Sequence, residues 1–175
     1  MKIKIIARKY FIIFFFPLVF ISCDKGLEPS APVLTVEGFK GTVNFVSAWP
    51  DSAIFTVLAV FQNPLLSAAD FNVTNIKFVS NPIVNKPTTF SYNSLTDFLP
   101  LLPENIKAGE YSYVAVIQSA SATLSLERRN WYIVGVYYAA GDTTKPGKLV
   151  IPSNTVVDNI NIRVDFNNLP PQPPL

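Results

Sequence analysis

The stretch TVVDNINIRVDF, residues 155–166, carries the clearest structural pattern in the chain. Apolar side chains at Ile160, Ile162, Val164 and Phe166 alternate with polar side chains at positions 161, 163 and 165. Because successive side chains of a strand point to opposite faces of the sheet, the alternation predicts a strand with one buried and one wet face. Strands of this kind are typical of antiparallel sheets. The stretch therefore predicts an antiparallel strand on the surface of a β-sheet.

The stretch AIFTVLAVFQ, residues 53–62, is apolar on both faces and predicts a central strand that is covered on both sides. Further strands are predicted at residues 36–48, 74–80, 86–93, 111–118, 131–138 and 148–151. The sequence predicts a turn at 49–52, a connection with one helical turn at 63–72, a polar loop at 119–130 and a turn-rich loop at 139–147. These segments predict a single all-β domain over residues 36–168, an antiparallel β-sandwich of about seven to eight strands.

Both ends of the chain fall outside the predicted domain. Residues 1–22 combine four early basic residues with the apolar run FIIFFFPLVFI, which is typical of a secretory signal peptide. The apolar run is shorter than the roughly 20 residues that a membrane-spanning helix needs. Residues 23–35 are interpreted as a tether, and the Pro-rich residues 169–175 predict an extended or disordered tail.

The end of the apolar run, Phe20-Ile21-Ser22-Cys23, resembles a bacterial lipobox. The resemblance implies that the sulfur of Cys23 receives a diacylglyceryl group and that the signal peptide is cut after Ser22. Phe20 departs from the usual leucine of that motif. Two or three acyl chains anchor a protein stably, whereas a single chain binds a membrane only marginally. We therefore expect a lipid-anchored bacterial envelope protein, on the outer membrane in preference to the inner one, with its domain in the periplasm or at the cell surface.

Composition excludes several kinds of chemistry. The chain contains no histidine and a single cysteine, which removes intrachain disulfides, the common zinc sites and nucleophiles that depend on a histidine base. Without the four basic residues of the signal peptide, 10 basic and 12 acidic residues give a net charge of −2. No basic patch indicates nucleic-acid binding.

Acidic residues do not form a recognisable catalytic pair. Most of them fall in predicted turns, and Asp158 and Asp165 lie an odd number of positions apart, on opposite faces of a regular strand. The loop Gly141-Asp142-Thr143-Thr144 has a single carboxylate, too few for a calcium site. The sequence therefore predicts neither enzymatic activity nor a cofactor or metal.

Segments of the predicted domain resemble the transthyretin-like, carboxypeptidase-regulatory-like β-sandwich modules of bacterial envelope proteins. The resemblance is carried by GTVNF at 41–45, WP at 49–50, AGEYSYVAV at 108–116, WYIVGVYY at 131–138 and NINIRVDF at 159–166. It implies a non-catalytic accessory domain and carries no catalytic motif. An immunoglobulin-like sandwich is the alternative, although the cysteine pair of antibody domains is absent.

Aromatic side chains are the candidates for ligand binding. Trp49 lies beside a predicted turn, Tyr138 lies at the start of the 139–147 loop, and Trp131 opens a predicted strand. Each could stack on a sugar ring or fill the core. We therefore expect a binding domain that contacts a protein partner or an envelope component. The alternative is a carbohydrate-binding lipoprotein that uses these aromatic residues.

Overall fold

The structure, a computed structural model, describes residues 36–100, 105–119, 121 and 125–175. The predicted signal peptide, Cys23 and the tether lie outside these residues. The described chain is all-β, as predicted, and its two 3-10 helices, Ala68–Asp70 and Arg128–Asn130, are one turn each. The strands are β1 (Gly38–Phe45), β2 (Phe55–Phe61), β3 (Ile76–Val79), β4 (Thr89–Asn93), β5 (Gly109–Tyr111), β6 (Tyr113–Ser119), β7 (Tyr132–Val136), β8 (Tyr138–Ala139), β9 (Asp142–Pro146), β10 (Leu149–Ile151), β11 (Val156–Val157) and β12 (Ile162–Val164). None of the described helices is long and apolar enough to cross a membrane.

Eight strands form one mixed sheet. At one end of the sheet β4 pairs with β1, and the order then runs through β12, β7, β6 and β2 to β3. Strands β11 and β12 are two pieces of one extended segment, and both pair with β1. The ring of Phe39 on β1 meets the ring of Phe78 on β3 at 5.1 Å. Because β1 and β3 are not neighbours in the sheet, this contact shows that the sheet curls.

The segment 155–166 departs from the predicted antiparallel pairing. Ile160, Ile162 and Val164 are buried, as the alternation predicts. On one side, however, β11 and β12 run parallel to β1, and only the pairing of β12 with β7 is antiparallel. The prediction of a purely antiparallel sheet is therefore wrong. Alternation reports which face is buried but carries no information about the direction of the neighbouring strand.

Gly41 allows the parallel pair to approach closely. A Cβ atom at Gly41 would lie 2.2 Å from the backbone oxygen of Ile160. Only a residue without a side chain fits such a close approach of two backbones. Beside it, Asn161 accepts hydrogen bonds from the backbone N–H and the hydroxyl of Thr42 through its side-chain oxygen, at 2.9 and 3.0 Å. These bonds hold the segment against β1 between β11 and β12, where the pairing with β1 is interrupted.

The central strands carry a hydrophobic core on each face. β2 lies between β3 and β6 and buries both faces, which confirms the prediction for residues 53–62. One cluster, the inner core, fills the inside of the curl and includes Phe39, Leu58, Phe78, Tyr92, Val114, Leu149 and Ile162. The other cluster, the outer core, covers the opposite face and includes Val57, Phe61, Phe71, Tyr113, Trp131 and Ile133. Burial of each large side chain contributes about 1.5–3 kcal/mol, which makes these clusters the main source of stability.

Two small ladders complete the fold. β5 pairs with β10, and Tyr111, Leu149 and Ile151 of this ladder belong to the inner core. β8 and β9 form a second antiparallel ladder that turns at Gly141, whose φ is +81°. The turn-rich loop predicted at 139–147 is therefore a hairpin. Its second strand is exposed over most of its length, so no apolar alternation marks it in the sequence.

Candidate functional site

The three candidate aromatic residues occupy three different environments. Trp49 packs at the margin of the inner core, Trp131 belongs to the outer core, and Tyr138 lines a groove on the outer face of the sheet. The structure therefore does not bring them together as one stacking platform. Cys23, the predicted lipidation site, lies outside the described residues.

Trp49 is engaged by its neighbours. Its ring centroid lies 4.3 Å from that of Phe45 and 5.2 Å from that of Phe166. Its indole N–H donates a hydrogen bond of 2.9 Å to the backbone oxygen of Pro87. These contacts assign Trp49 a packing role at the end of β1, in a half-buried position.

Trp131 is 4% exposed and borders a cavity of about 220 Å³. Its ring lies 5.9 Å from Phe55 and 6.2 Å from Phe71, and its indole N–H donates to the backbone oxygen of Ser125 at 2.7 Å. The other walls of this cavity are mainly apolar side chains of β2 and β3. Trp131 thus lies at the base of an apolar pocket, with little of its own surface in contact with solvent.

The Tyr138 groove is larger, at about 470 Å³. Its walls come from loop residues 64–66, from Tyr113, Val136 and Tyr138 of the sheet, from Pro146 of the hairpin and from residues 170–174. Most of these side chains are apolar. A volume of this size falls within the range of about 300–1,000 Å³ that is usual for small-molecule sites.

One wall of the groove is the Pro-rich segment, residues 169–175. The segment is extended, and Pro173 is buried. The side-chain amide of Gln172 accepts a hydrogen bond from the N–H of Ile133 at 2.9 Å and donates one to the oxygen of Ile133 at 2.8 Å. One side chain thereby satisfies both backbone groups of a fully buried strand residue, as a neighbouring strand would. The Pro-rich segment is therefore packed on the sheet.

Behind this wall lies a buried arginine. Arg128 is 4% exposed, although the sequence places it in a polar loop. Its guanidinium donates to the backbone oxygens of Trp131 and Pro173, the latter at 3.0 Å, and its Nε has no hydrogen-bond partner. Within the described ranges no carboxylate forms an ion pair with it. Burial lowers the pKa of this guanidinium. A guanidinium stays charged at neutral pH, so the site holds a positive charge that no carboxylate of the described residues compensates.

Two phenols of the groove make no hydrogen bond with any described residue. Tyr113 is 7% exposed and lines the groove, and its hydroxyl makes no hydrogen bond to any described residue. Burial raises the pKa of Tyr113 to about 12, the neighbouring Tyr138 raises it further, and the charge of Arg128 acts in the opposite direction. Burial also raises the pKa of Tyr138. Both phenols therefore remain protonated at neutral pH and can donate hydrogen bonds into the groove.

Carboxylates within the described ranges serve local structure. Each of the nine makes a hydrogen bond or ion pair with the protein: Glu37, Asp51, Asp70, Asp97, Glu110, Glu127, Asp142, Asp158 and Asp165. Asp70, for example, accepts bonds from the backbone and hydroxyl of Ser67, which lower its pKa. No described cluster of three or more acidic, cysteine or histidine side chains could hold a metal ion. Each described acidic side chain therefore has at least one partner in the protein.

Two residues of the groove region were missed by the sequence interpretation. Arg128 gives no signal, because its burial depends on the backbone oxygen of Trp131 nearby and on that of Pro173, which lies 45 residues away. Gln172 does have a recognisable signal in the sequence, because it is the one amide side chain within the run PPQPP at 170–174.

No protein-family model matches this chain, and no match was found among curated proteins or among solved structures.

Proposed function

We propose that the chain is a lipid-anchored bacterial envelope protein whose β-domain binds a ligand or partner and performs no catalysis. The anchor is the diacylglyceryl group that the lipobox-like stretch Phe20–Cys23 would receive. The domain would stand in the periplasm or at the cell surface, on the outer membrane in preference to the inner one.

The observation that carries the binding role is the Tyr138 groove. It combines a volume of about 470 Å³ with mostly apolar walls and a few unpartnered polar groups, the usual composition of a binding site. Absence of catalysis is supported by the local partners of the nine described carboxylates. The carbohydrate alternative has less support, because the Trp49 ring packs against Phe45 and Phe166 and Trp131 is buried.

The finer fold assignment belongs to the same proposal. The inner core lies between the curled sheet and the ladder of β5 with β10, which supports a sandwich-like closure. A transthyretin-like or immunoglobulin-like relationship is proposed on this closure and on the sequence resemblance. The parallel pairing of β1 with β11 and β12 sets the chain apart from a purely antiparallel sandwich.

The anchor is tested by metabolic labelling with an alkyne analogue of palmitate in a bacterial host. We expect label on the wild-type chain and none on Cys23→Ser. Equal labelling of both would contradict lipidation at Cys23. Partners are tested by crosslinking in living cells with an affinity tag after Leu175, which is 83% exposed. A single protein recovered at near-equal amounts would support a protein partner, and recovered polysaccharide would support the carbohydrate alternative.

A further inference from the structure

We propose that the Tyr138 groove binds a fatty acid, with the acyl chain along its apolar walls and the carboxylate beside Tyr113. This inference rests on the proposed binding role of the groove and names the class of its ligand. It concerns a reversibly bound molecule, separate from the lipid that the anchor would place on Cys23.

The walls of the groove fit an acyl chain. Leu65, Val136 and the prolines of segment 170–174 supply aliphatic surface, and the phenol rings of Tyr113 and Tyr138 supply aromatic surface. A mostly apolar lining gives a long hydrocarbon its affinity through the area that is removed from water. A sugar, by contrast, would leave most of its hydroxyls without partners on such walls.

Polar groups of the groove fit a single oxygen-rich headgroup. The hydroxyl of Tyr113, on a side chain more than nine-tenths buried, lacks a partner within the described residues and lies on the groove wall. Tyr138 adds a second phenol to the same lining. Both donate hydrogen bonds at neutral pH, and a carboxylate accepts such bonds more strongly than a neutral oxygen does.

The charges of the region favour an anion. No acidic side chain is among the described residues that line the groove, and its one charged lining residue, Lys148, pairs with Glu110. Pro173 both lines the groove and accepts a hydrogen bond from Arg128, so the uncompensated guanidinium lies directly behind the wall. Its charge acts on the phenol of Tyr113. A ligand carboxylate at Tyr113 would supply the missing counter-charge in a region where screening by water is weak.

The test uses the full chain, purified from cells and reconstituted in phosphatidylcholine nanodiscs, with a diazirine analogue of palmitate as photoreactive probe. Crosslinked peptides are identified by mass spectrometry, and palmitate, hexadecanol and a mixed oligosaccharide are compared as competitors. We expect label on peptides that contain Tyr113 or Tyr138, and displacement by palmitate at concentrations at least tenfold lower than by hexadecanol. Equal competition by hexadecanol would overturn carboxylate recognition, and displacement by the oligosaccharide would overturn the ligand class.

Variants locate the site. Ser112→Trp places an indole on the groove wall, and we expect it to abolish the label at Tyr138. The matched control Ser91→Trp makes the same change at an exposed position of β4, outside the groove, and should label like the wild type. Tyr113→Phe keeps the ring and should raise the half-saturating palmitate concentration roughly tenfold, as expected for one lost hydrogen bond to a charged group. Unchanged labelling of folded Ser112→Trp would refute the site.

Arg128→Met separates a binding role from a structural one. We expect the variant to remain folded and to lose palmitate binding roughly tenfold. A variant that unfolds more easily and binds palmitate normally would overturn the role of Arg128. The competition series on the wild-type chain needs no variant and tests the ligand class by itself. Absence of groove labelling on the wild-type chain, with intact labelling of Cys23, would refute the ligand class and leave the envelope proposal in place.

Discussion

Gln172→Ala offers the sharpest test of how the Pro-rich segment is held. In the wild type the Gln172 amide pairs with both backbone groups of Ile133, and its nitrogen also donates to the oxygen of Pro170 at 2.9 Å. Ile133 is fully buried in β7. Removal of the amide leaves a buried N–H and a buried carbonyl of β7 without the partner that Gln172 supplies.

The expected loss follows from these two groups. Each buried backbone group left unsatisfied costs about 1–3 kcal/mol. Water that enters beside the loosened segment can bond to these groups and offsets part of this free-energy cost. We therefore expect Gln172→Ala to lower the free energy of unfolding by about 2–3 kcal/mol. For a domain of this size the loss corresponds to a fall in melting temperature of roughly 8–12 °C. Gln172→Glu should be at least as damaging at neutral pH, because a carboxylate cannot donate to the oxygen of Ile133.

Urea unfolding measures the free energy, and hydrogen exchange reports directly on the amide of Ile133. We expect the protection of that amide to fall by a factor that matches the loss in stability. Asn168→Ala is the control, because Asn168 is exposed and its side chain makes no hydrogen bond within the described residues. A Gln172→Ala chain within 0.5 kcal/mol of the wild type, about the scatter of neutral surface changes, with unchanged protection at Ile133, would refute this account of the segment.

Three further predictions concern the core. Gly41→Ala should cost about 2–3 kcal/mol in urea unfolding, since its Cβ would overlap the backbone of Ile160; wild-type stability would show that the parallel pair can move apart freely. Tyr113 has a folded pKa near 12, above the value of about 10 for an unfolded chain, so its contribution is complete below pH 10. The contribution of Tyr113 to stability should fall by about 2–3 kcal/mol between pH 10 and 12, in addition to the fall from other buried phenols such as Tyr92, and this part should be absent in Tyr113→Phe. Trp49→Ala should cost about 2–4 kcal/mol in thermal unfolding, and a stable variant would contradict its packing role.

The sequence predicted burial far better than it predicted pairing. β2 was recognisable as a central strand because both of its faces are apolar, and Ile162 and Val164 were correctly assigned to a buried face. The parallel pairing of their segment with β1 could not be inferred, because a two-residue period is the same for parallel and antiparallel neighbours. The hairpin of β8 and β9 escaped notice since its exposed residues have no apolar pattern.

Candidate site residues were harder to predict, because the groove is assembled from distant segments. Tyr138 was singled out and does line the groove, whereas Trp49 and Trp131 are held mainly by packing. Proline composition predicts an extended or disordered tail at 169–175, whereas the docking of this segment on the sheet depends on the Gln172 amide. Composition also favours a solvent-exposed arginine at 128, and its burial follows from backbone oxygens that only the folded chain brings together.

Arg128 connects the stability of the domain with its proposed role. A buried charge without a partner of opposite sign costs several kcal/mol in desolvation, and apolar replacements of buried ions are often neutral or stabilising. Its two bonds to backbone oxygens offset only part of this cost, because its Nε remains unpartnered. A chain shaped for stability alone would place an apolar side chain behind Pro173. Local violations of this kind concentrate at functional sites, where the cost is recovered on binding. Three features of the region support one conclusion. The guanidinium of Arg128 has no described counter-charge, the phenol of Tyr113 has no described partner, and the apolar groove has no acidic lining. An anionic ligand in the groove would therefore balance the positive charge of Arg128.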